Sequence, residues 1–171
     1  MKQAIGYPEY KVLLDDFVNF VQHTLRGQVV SVILYGSVVR GTAKLNSDVD
    51  LLLILKEVPS QYWKRLQPLL PILRQLKKEP SWKKLEEQGV NPSLSLLVLS
   101  LEEAKENRYL YLEMVEEALI LVDREGFFHG KLESIRQRLK ELGARKVRRN
   151  GDWYWDLKPD MKPGEKIVLL R

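Results

Sequence analysis

The chain has no cysteine, which excludes disulfides, thiolate metal sites and cysteine nucleophiles and fits a reducing compartment. It has only two histidines, His23 and His129. Neither has an acid at recognisable spacing, so no histidine-based zinc site and no histidine base is expected. No apolar run approaches the roughly 18 residues that a membrane span needs. The first ten residues lack a basic segment followed by an apolar one, so no secretion signal is expected. Repeats and low-complexity tracts are also missing. The expectation is a cytoplasmic protein without a membrane partner.

What is present is enough for a real core. Of 171 residues, 44% are hydrophobic and 30% are charged, the balance of one ordinary domain, with or without an appendage. The formal charge of +5 is uneven. Between Lys131 and Arg149 there are eight basic residues and two acidic ones, so this stretch carries +6 and the remainder is slightly negative. Such a segment is either a solvated helix face with a basic strand or a surface for a polyanion, RNA included.

Apolar residues at 10, 13, 14, 17, 18, 21 and 25 have helical spacing, and Gly27 ends that helix. Val29 to Tyr35 and Val49 to Leu55 are short apolar runs that read as buried strands, the second covered on both faces. Ser60 to Lys78 reads as helical, with Pro68 and Pro71 kinking or splitting it. Asn91-Pro92 opens a third strand, Ser93 to Leu99, after which Ser100 is placed to cap a helix. The spacing of Tyr111, Val115, Ala118, Leu119 and Val122 carries that helix on to the break at Asp123–Gly126. Leu132, Ile135, Leu139 and Leu142 mark another helix, closed by Gly143. Asn150-Gly151 then predicts a hairpin leading into Trp153-Tyr154-Trp155. The aromatic triplet is expected to anchor that hairpin, with base stacking as the alternative. The expected fold is α/β (α+β): a short mixed sheet with helices packed on it, C-terminal helices and a β-hairpin. Residues 1–100 are expected to form the core domain, and residues 101–171 a helical extension ending in the hairpin and packed on the core.

The chemistry is concentrated in Leu34-Tyr35-Gly36-Ser37-Val38-Val39-Arg40-Gly41 and Ser47-Asp48-Val49-Asp50-Leu51. A strand ending in Gly-Ser sets backbone free of a Cβ beside a hydroxyl donor. If a helix begins there, its free N–H groups make an anion site. Asp48 and Asp50 are two apart, so on a strand both carboxylates leave the same face. Two such charges call for a cation between them, and Mg²⁺ takes oxygen ligands shared with substrate phosphates. The pattern is therefore a phosphate cradle facing a carboxylate pair, suited to phosphoryl or nucleotidyl transfer. No lysine precedes Thr42, which excludes an ATPase P-loop.

Gly-Ser, three residues, Gly, five residues and Ser-Asp-x-Asp-Leu resembles the motif of the DNA polymerase β-like nucleotidyltransferase superfamily. With Arg40 before the second glycine, the resemblance is to its minimal prokaryotic members. It covers residues 29–55 well and runs more loosely to about residue 99. The resemblance implies that Gly36 and Ser37 hold a nucleoside triphosphate and that Asp48 and Asp50 bind Mg²⁺ at the catalytic centre. Arg40 and Ser47 would support them by charge and hydrogen bonding. It also implies transfer of a nucleoside monophosphate to an acceptor hydroxyl, on RNA or protein. One departure stands out: the superfamily places a third carboxylate on a later strand, flanked by apolar residues, where this chain has Ser95. Glu57, Glu102 and Glu103 are conceivable substitutes. Two alternatives stay open, a weakly active or inactive nucleotide-binding module that partners a toxin-like protein, and a nucleic-acid-binding protein using the basic segment. Glu113, Glu116 and Glu117 read as a solvated helix face.

Overall fold

The computed structural model describes residues 5–149, 152–162 and 164–167. Helix α1 spans Tyr7–Thr24, with Pro8 in its first turn, where a missing N–H costs no helical bond. Strands β1 (Val29–Tyr35) and β2 (Val49–Leu55) pair antiparallel. Three helices follow, α2 (Tyr62–Leu66), α3 (Leu70–Leu76) and α4 (Pro80–Glu87), with a 3-10 turn at Gln67–Leu69 between the first two. Pro68 and Pro71 thus split the expected helix, because neither ring can give an N–H to the turn before it. Strand β3 (Leu94–Ser100) lies parallel to β2. Ser100 caps α5 (Leu101–Lys105), its hydroxyl accepting from the Glu103 N–H while Glu103 reaches back to the Ser100 N–H.

Two readings of the sequence are corrected here. The helix expected to run from Ser100 to Val122 is two helices, α5 and α6 (Tyr109–Glu117), followed by strand β4 (Leu119–Asp123). Leu119-Ile120-Leu121-Val122 continues the helical spacing by coincidence; pairing with β1 is what makes it extended. Helix α4 has no counterpart in the sequence reading, although Pro80 opens it and Ser81 ties it to Asp16 of α1 at 2.5 Å. Helix α7 (Phe127–Glu141) and strands β5 (Arg145–Arg149) and β6 (Asp152–Asp156) complete the chain. Asp123 does more than break a helix: its carboxylate accepts from Ser31 and from the N–H groups of Phe128 and His129, starting α7. The strands β5 and β6 pair antiparallel as a hairpin, while its Asn150-Gly151 turn lies outside the described residues.

The sheet order is β3-β2-β1-β4, a mixed sheet with β2 and β1 inside. Along β2, Val49, Leu51, Leu53 and Leu55 face one core with α1, α3 and α4. Leu52 and Ile54 face a second core with α5, α6 and α7, where Tyr111 and Phe128 meet edge to face at 5.5 Å. Alternation therefore puts Asp50 on the α5–α7 side. The free edge of β3 is covered by α2: the Tyr62 hydroxyl donates to the Leu96 carbonyl, and Arg65 donates to that of Val98.

Arg65 is buried and makes a two-pronged pair with Glu103, both contacts at 2.8 Å. This guanidinium holds the Glu103 carboxyl below the usual carboxylate value. A carboxylate whose folded pKa is depressed contributes stability above its unfolded pKa and loses it as pH falls through the folded one. Acidification from neutrality to about pH 3 should therefore lower the urea midpoint of the wild type more steeply than that of Glu103→Gln. Parallel acid limbs in the two proteins would contradict this.

Candidate active site

The site lies where β1 gives way to a turn and β2 begins. Tyr35 is the last residue of β1; Gly36, at φ +78°, then reverses the chain. Residues 36–42 form a tight turn, with Arg40 N–H on the Gly36 carbonyl (3.3 Å) and Thr42 N–H on that of Ser37 (3.0 Å). No helix starts at Ser37, so the helix N-terminus considered for the anion site is replaced by this turn. Val38, fully buried, pins it to the core.

Gly36 is required twice over. Its backbone is left-handed, and a Cβ there would sit 2.6 Å from Asp50 Oδ2. Gly41 also has positive φ, at +66°, but open space surrounds its missing Cβ. Gly41→Ala should therefore cost about 1–2 kcal/mol from backbone strain alone. Gly36→Ala should cost clearly more, lowering the melting temperature by more than the roughly 2–8 °C that Gly41→Ala implies in a chain of this size. Equal melting temperatures for the two variants would show that the close approach of Asp50 carries no energy.

Across the sheet, Ser95, Asp50 and Tyr35 are direct neighbours on β3, β2 and β1. Their side chains share the α5–α7 face. Burial pushes the Asp50 carboxyl above its ordinary pKa, and the charge of Asp48 adds to this; a Ser95 hydrogen bond and the Arg40 charge oppose it. The Tyr35 phenol is raised chiefly by burial, then by the charges of Asp50, Tyr62 and Glu113 around it. Asp48 precedes β2 rather than lying on it, is exposed, and accepts from Asn91 Nδ2 at 2.9 Å. The same asparagine's carbonyl receives the Tyr10 hydroxyl at 3.0 Å, which ties Asp48 to α1. The Ser47 hydroxyl accepts from the Lys44 N–H at 2.9 Å and braces the loop.

The fold thus brings together Gly36, Asp48, Asp50 and Ser95, with Arg40 within charge reach. It does not bring Glu57, Glu102 or Glu103 to Asp50. Glu57 follows the far end of β2, about 20 Å along the strand. Glu103 is engaged by Arg65 beyond the far end of β3, and Glu102 by Lys105. Among the described residues no group of three or more His, Cys, Asp or Glu is placed to hold a metal ion, so Asp48 and Asp50 stand as a pair.

A family model described as the nucleotidyltransferase domain matches residues 14–147. The chain belongs to the nucleotidyltransferase domain family. A curated relative, the putative protein adenylyltransferase MJ1305 of Methanocaldococcus jannaschii, is 28% identical over 141 residues, covering 82% of this chain and 90% of that protein. Among solved structures, a toxin–antitoxin with AMP-PNP aligns at TM-score 0.45 and 16% identity, covering 74% of this chain and 89% of the other. A putative nucleotidyltransferase from Sulfolobus solfataricus aligns at TM-score 0.40 and 16% identity, covering 69% and 86%.

The sequence reading missed the part played by α6. Glu117 pairs with Arg40 at 3.2 Å and also receives Lys146 of β5 at 3.4 Å, while Lys146 reaches Glu116 at 2.9 Å. Glu116 and Glu117 are thus paired across elements, whereas Glu113 is exposed. No spacing signal could have found these pairs, because the partners are 29 to 77 residues apart. Trp155 anchors the hairpin by donating to the Leu112 carbonyl at 3.2 Å, whereas Trp153 and Tyr154 remain exposed. Much of the basic segment is engaged within the chain: Lys131 and Arg136 bond backbone carbonyls, and Arg138 and Lys146 bond carboxylates. Among the described residues, no helix is long and apolar enough to cross a membrane.

Proposed function

We propose that this chain transfers the nucleoside monophosphate of a nucleoside triphosphate, ATP in the first instance, to a hydroxyl on a protein. The observation that carries the reading is the Asp48–Asp50 pair set against the Gly36 turn. Asp50 is held half-buried beside a second negative charge, an arrangement that a divalent cation relieves. Both groups offer oxygen ligands only, the donor set that Mg²⁺ takes. The relative from Methanocaldococcus jannaschii, named as a putative protein adenylyltransferase, supports both the nucleotide and the acceptor class.

Mg²⁺ held by Asp48 and Asp50 would supply charge neutralisation at the phosphates. The chain itself does the rest of the positioning. The Gly36 turn lets the backbone close on the triphosphate, the Ser37 hydroxyl donates to it, and Arg40 adds positive charge. The acceptor hydroxyl oxygen attacks the α-phosphorus, the bond from that phosphorus to the oxygen bridging to the β-phosphate breaks, and pyrophosphate leaves. The hydroxyl proton passes to solvent, since Ser95 is no base at neutral pH.

A second reading, a nucleotide-binding module with weak or no turnover, is favoured by Ser95 itself, the neutral neighbour of Asp50 across the parallel ladder where a carboxylate would complete the site. Incubation with Mg²⁺, a bacterial or archaeal lysate as acceptor, and ATP labelled at either the α- or the γ-phosphate tests the first. Transfer of the α-label to protein, with none from the γ-label, is the expected result. Transfer of the γ-label would make the chain a kinase, and Mg²⁺-dependent nucleotide binding without any transfer would leave the second reading in its place.

A further inference from the structure

The turn that carries Arg40 opens onto a cleft of about 540 Å³ between α6 and the terminal hairpin. Its walls include Glu113 and Glu117 of α6, Lys146 of β5, and Trp153 and Tyr154 of β6. A cavity of this size suits a few side chains in single file rather than a folded surface or a duplex. The hairpin wall is held in place by Trp155 on the Leu112 carbonyl and by the Lys146 ion pairs. Trp153 and Tyr154 are 61% and 47% exposed.

The charges decide what such a cleft would accept. Its cations, Arg40 and Lys146, are already matched by Glu117 and Glu116. Glu113 makes no ion pair among the described residues, and it stands close enough to Tyr35 to raise that phenol's pKa. A triphosphate beside Arg40 would add further negative charge at the same mouth. Each lining cation already has a carboxylate partner, so a polyanion gains no free cation there, whereas Lys or Arg side chains would meet the Glu113 carboxylate and the Tyr154 ring. Trp153 already carries the Arg148 guanidinium, 5.8 Å from its centroid.

We propose that this cleft seats the acceptor as a basic, hydroxyl-bearing polypeptide segment, with Glu113 recognising its positive charge. The inference names the acceptor of the proposed nucleotidyl transfer and rests on that reading, but it is tested by binding alone.

Fluorescein-tagged peptides in which Ser, Thr and Tyr alternate with Lys, the same peptides with Glu in place of Lys, and an oligoadenylate of equal length would be titrated by anisotropy. Mg²⁺ and a non-hydrolysable triphosphate are present throughout. The Lys peptide should bind the wild type at least about tenfold more tightly than either other probe. Glu113→Lys should remove most of that preference, and Trp153→Ala/Tyr154→Ala should weaken the Lys peptide severalfold without reversing it. Tighter binding of the oligoadenylate or the Glu peptide would overturn the proposal. So would binding of no probe, or indifference of the Lys peptide to both variants. The nucleotide reading fails separately, if calorimetry finds that the wild type binds no Mg²⁺-triphosphate.

Discussion

Asp50→Asn should abolish Mg²⁺-dependent triphosphate binding while leaving the fold as stable as the wild type or more so. The two halves of this result have different causes. The carboxylate is a candidate ligand to the cation that neutralises the phosphates, a contribution of several kcal/mol, so its loss should lower affinity and transfer by about 10²–10³ or more. The folded state, by contrast, holds that charge at a cost: burial and Asp48 both push its pKa up. Asparagine keeps the shape and a partner for Ser95 while removing the buried charge. Calorimetric titration with a non-hydrolysable triphosphate, with and without Mg²⁺, reads the first half, and the urea midpoint reads the second. An Asp50→Asn variant that binds Mg²⁺-triphosphate as the wild type does would place the site elsewhere.

Ser95→Asp should have the opposite signature. Asp50 and Ser95 are direct neighbours in parallel strands, so the new carboxylate would stand beside an existing one. Without metal, like charges so placed destabilise the sheet and raise each other's pKa. The variant should therefore melt below the wild type in chelator, and added Mg²⁺ should restore it. A ligand at a hundred times its Kd stabilises by about 2.7 kcal/mol, which makes the recovery readily visible. If the aspartate also faces the acceptor hydroxyl, it supplies the base that Ser95 cannot, and transfer should rise by about 10²-fold or more. A variant with the wild-type response to Mg²⁺ and the wild-type rate would show that position 95 is not where the third carboxylate acts.

Much of the candidate site was legible because its parts are close in sequence. Gly36, Ser37 and Arg40 lie within one turn, and Asp48 and Asp50 within one strand start. The family resemblance singled out Ser95 as standing where a third carboxylate is expected, and the parallel register sets it beside Asp50. The exclusion of Glu57, Glu102 and Glu103 needed the strand directions, since each is near a relevant strand in sequence but at its far end. The Arg40–Glu117–Lys146 chain was illegible, because it joins three elements whose spacing along the chain encodes nothing about their distance in space.

The sequence by itself determined the two central strands, the helices with clear periodicity and caps, and the nucleotidyltransferase motif. Those features rest on local rules: side-chain alternation, the φ allowed to glycine, and hydrogen bonds within a few residues. Tertiary structure alone decided that Leu119–Asp123 is an edge strand and not the end of a helix, because its run of four apolar residues satisfies either geometry until β1 offers it a ladder. It also decided that α6 and the hairpin stand over the Asp50 face of the sheet. That placement follows from packing Tyr111, Leu112 and Met114 against Ile33, Leu52 and Ile54, a long-range burial that no local pattern specifies.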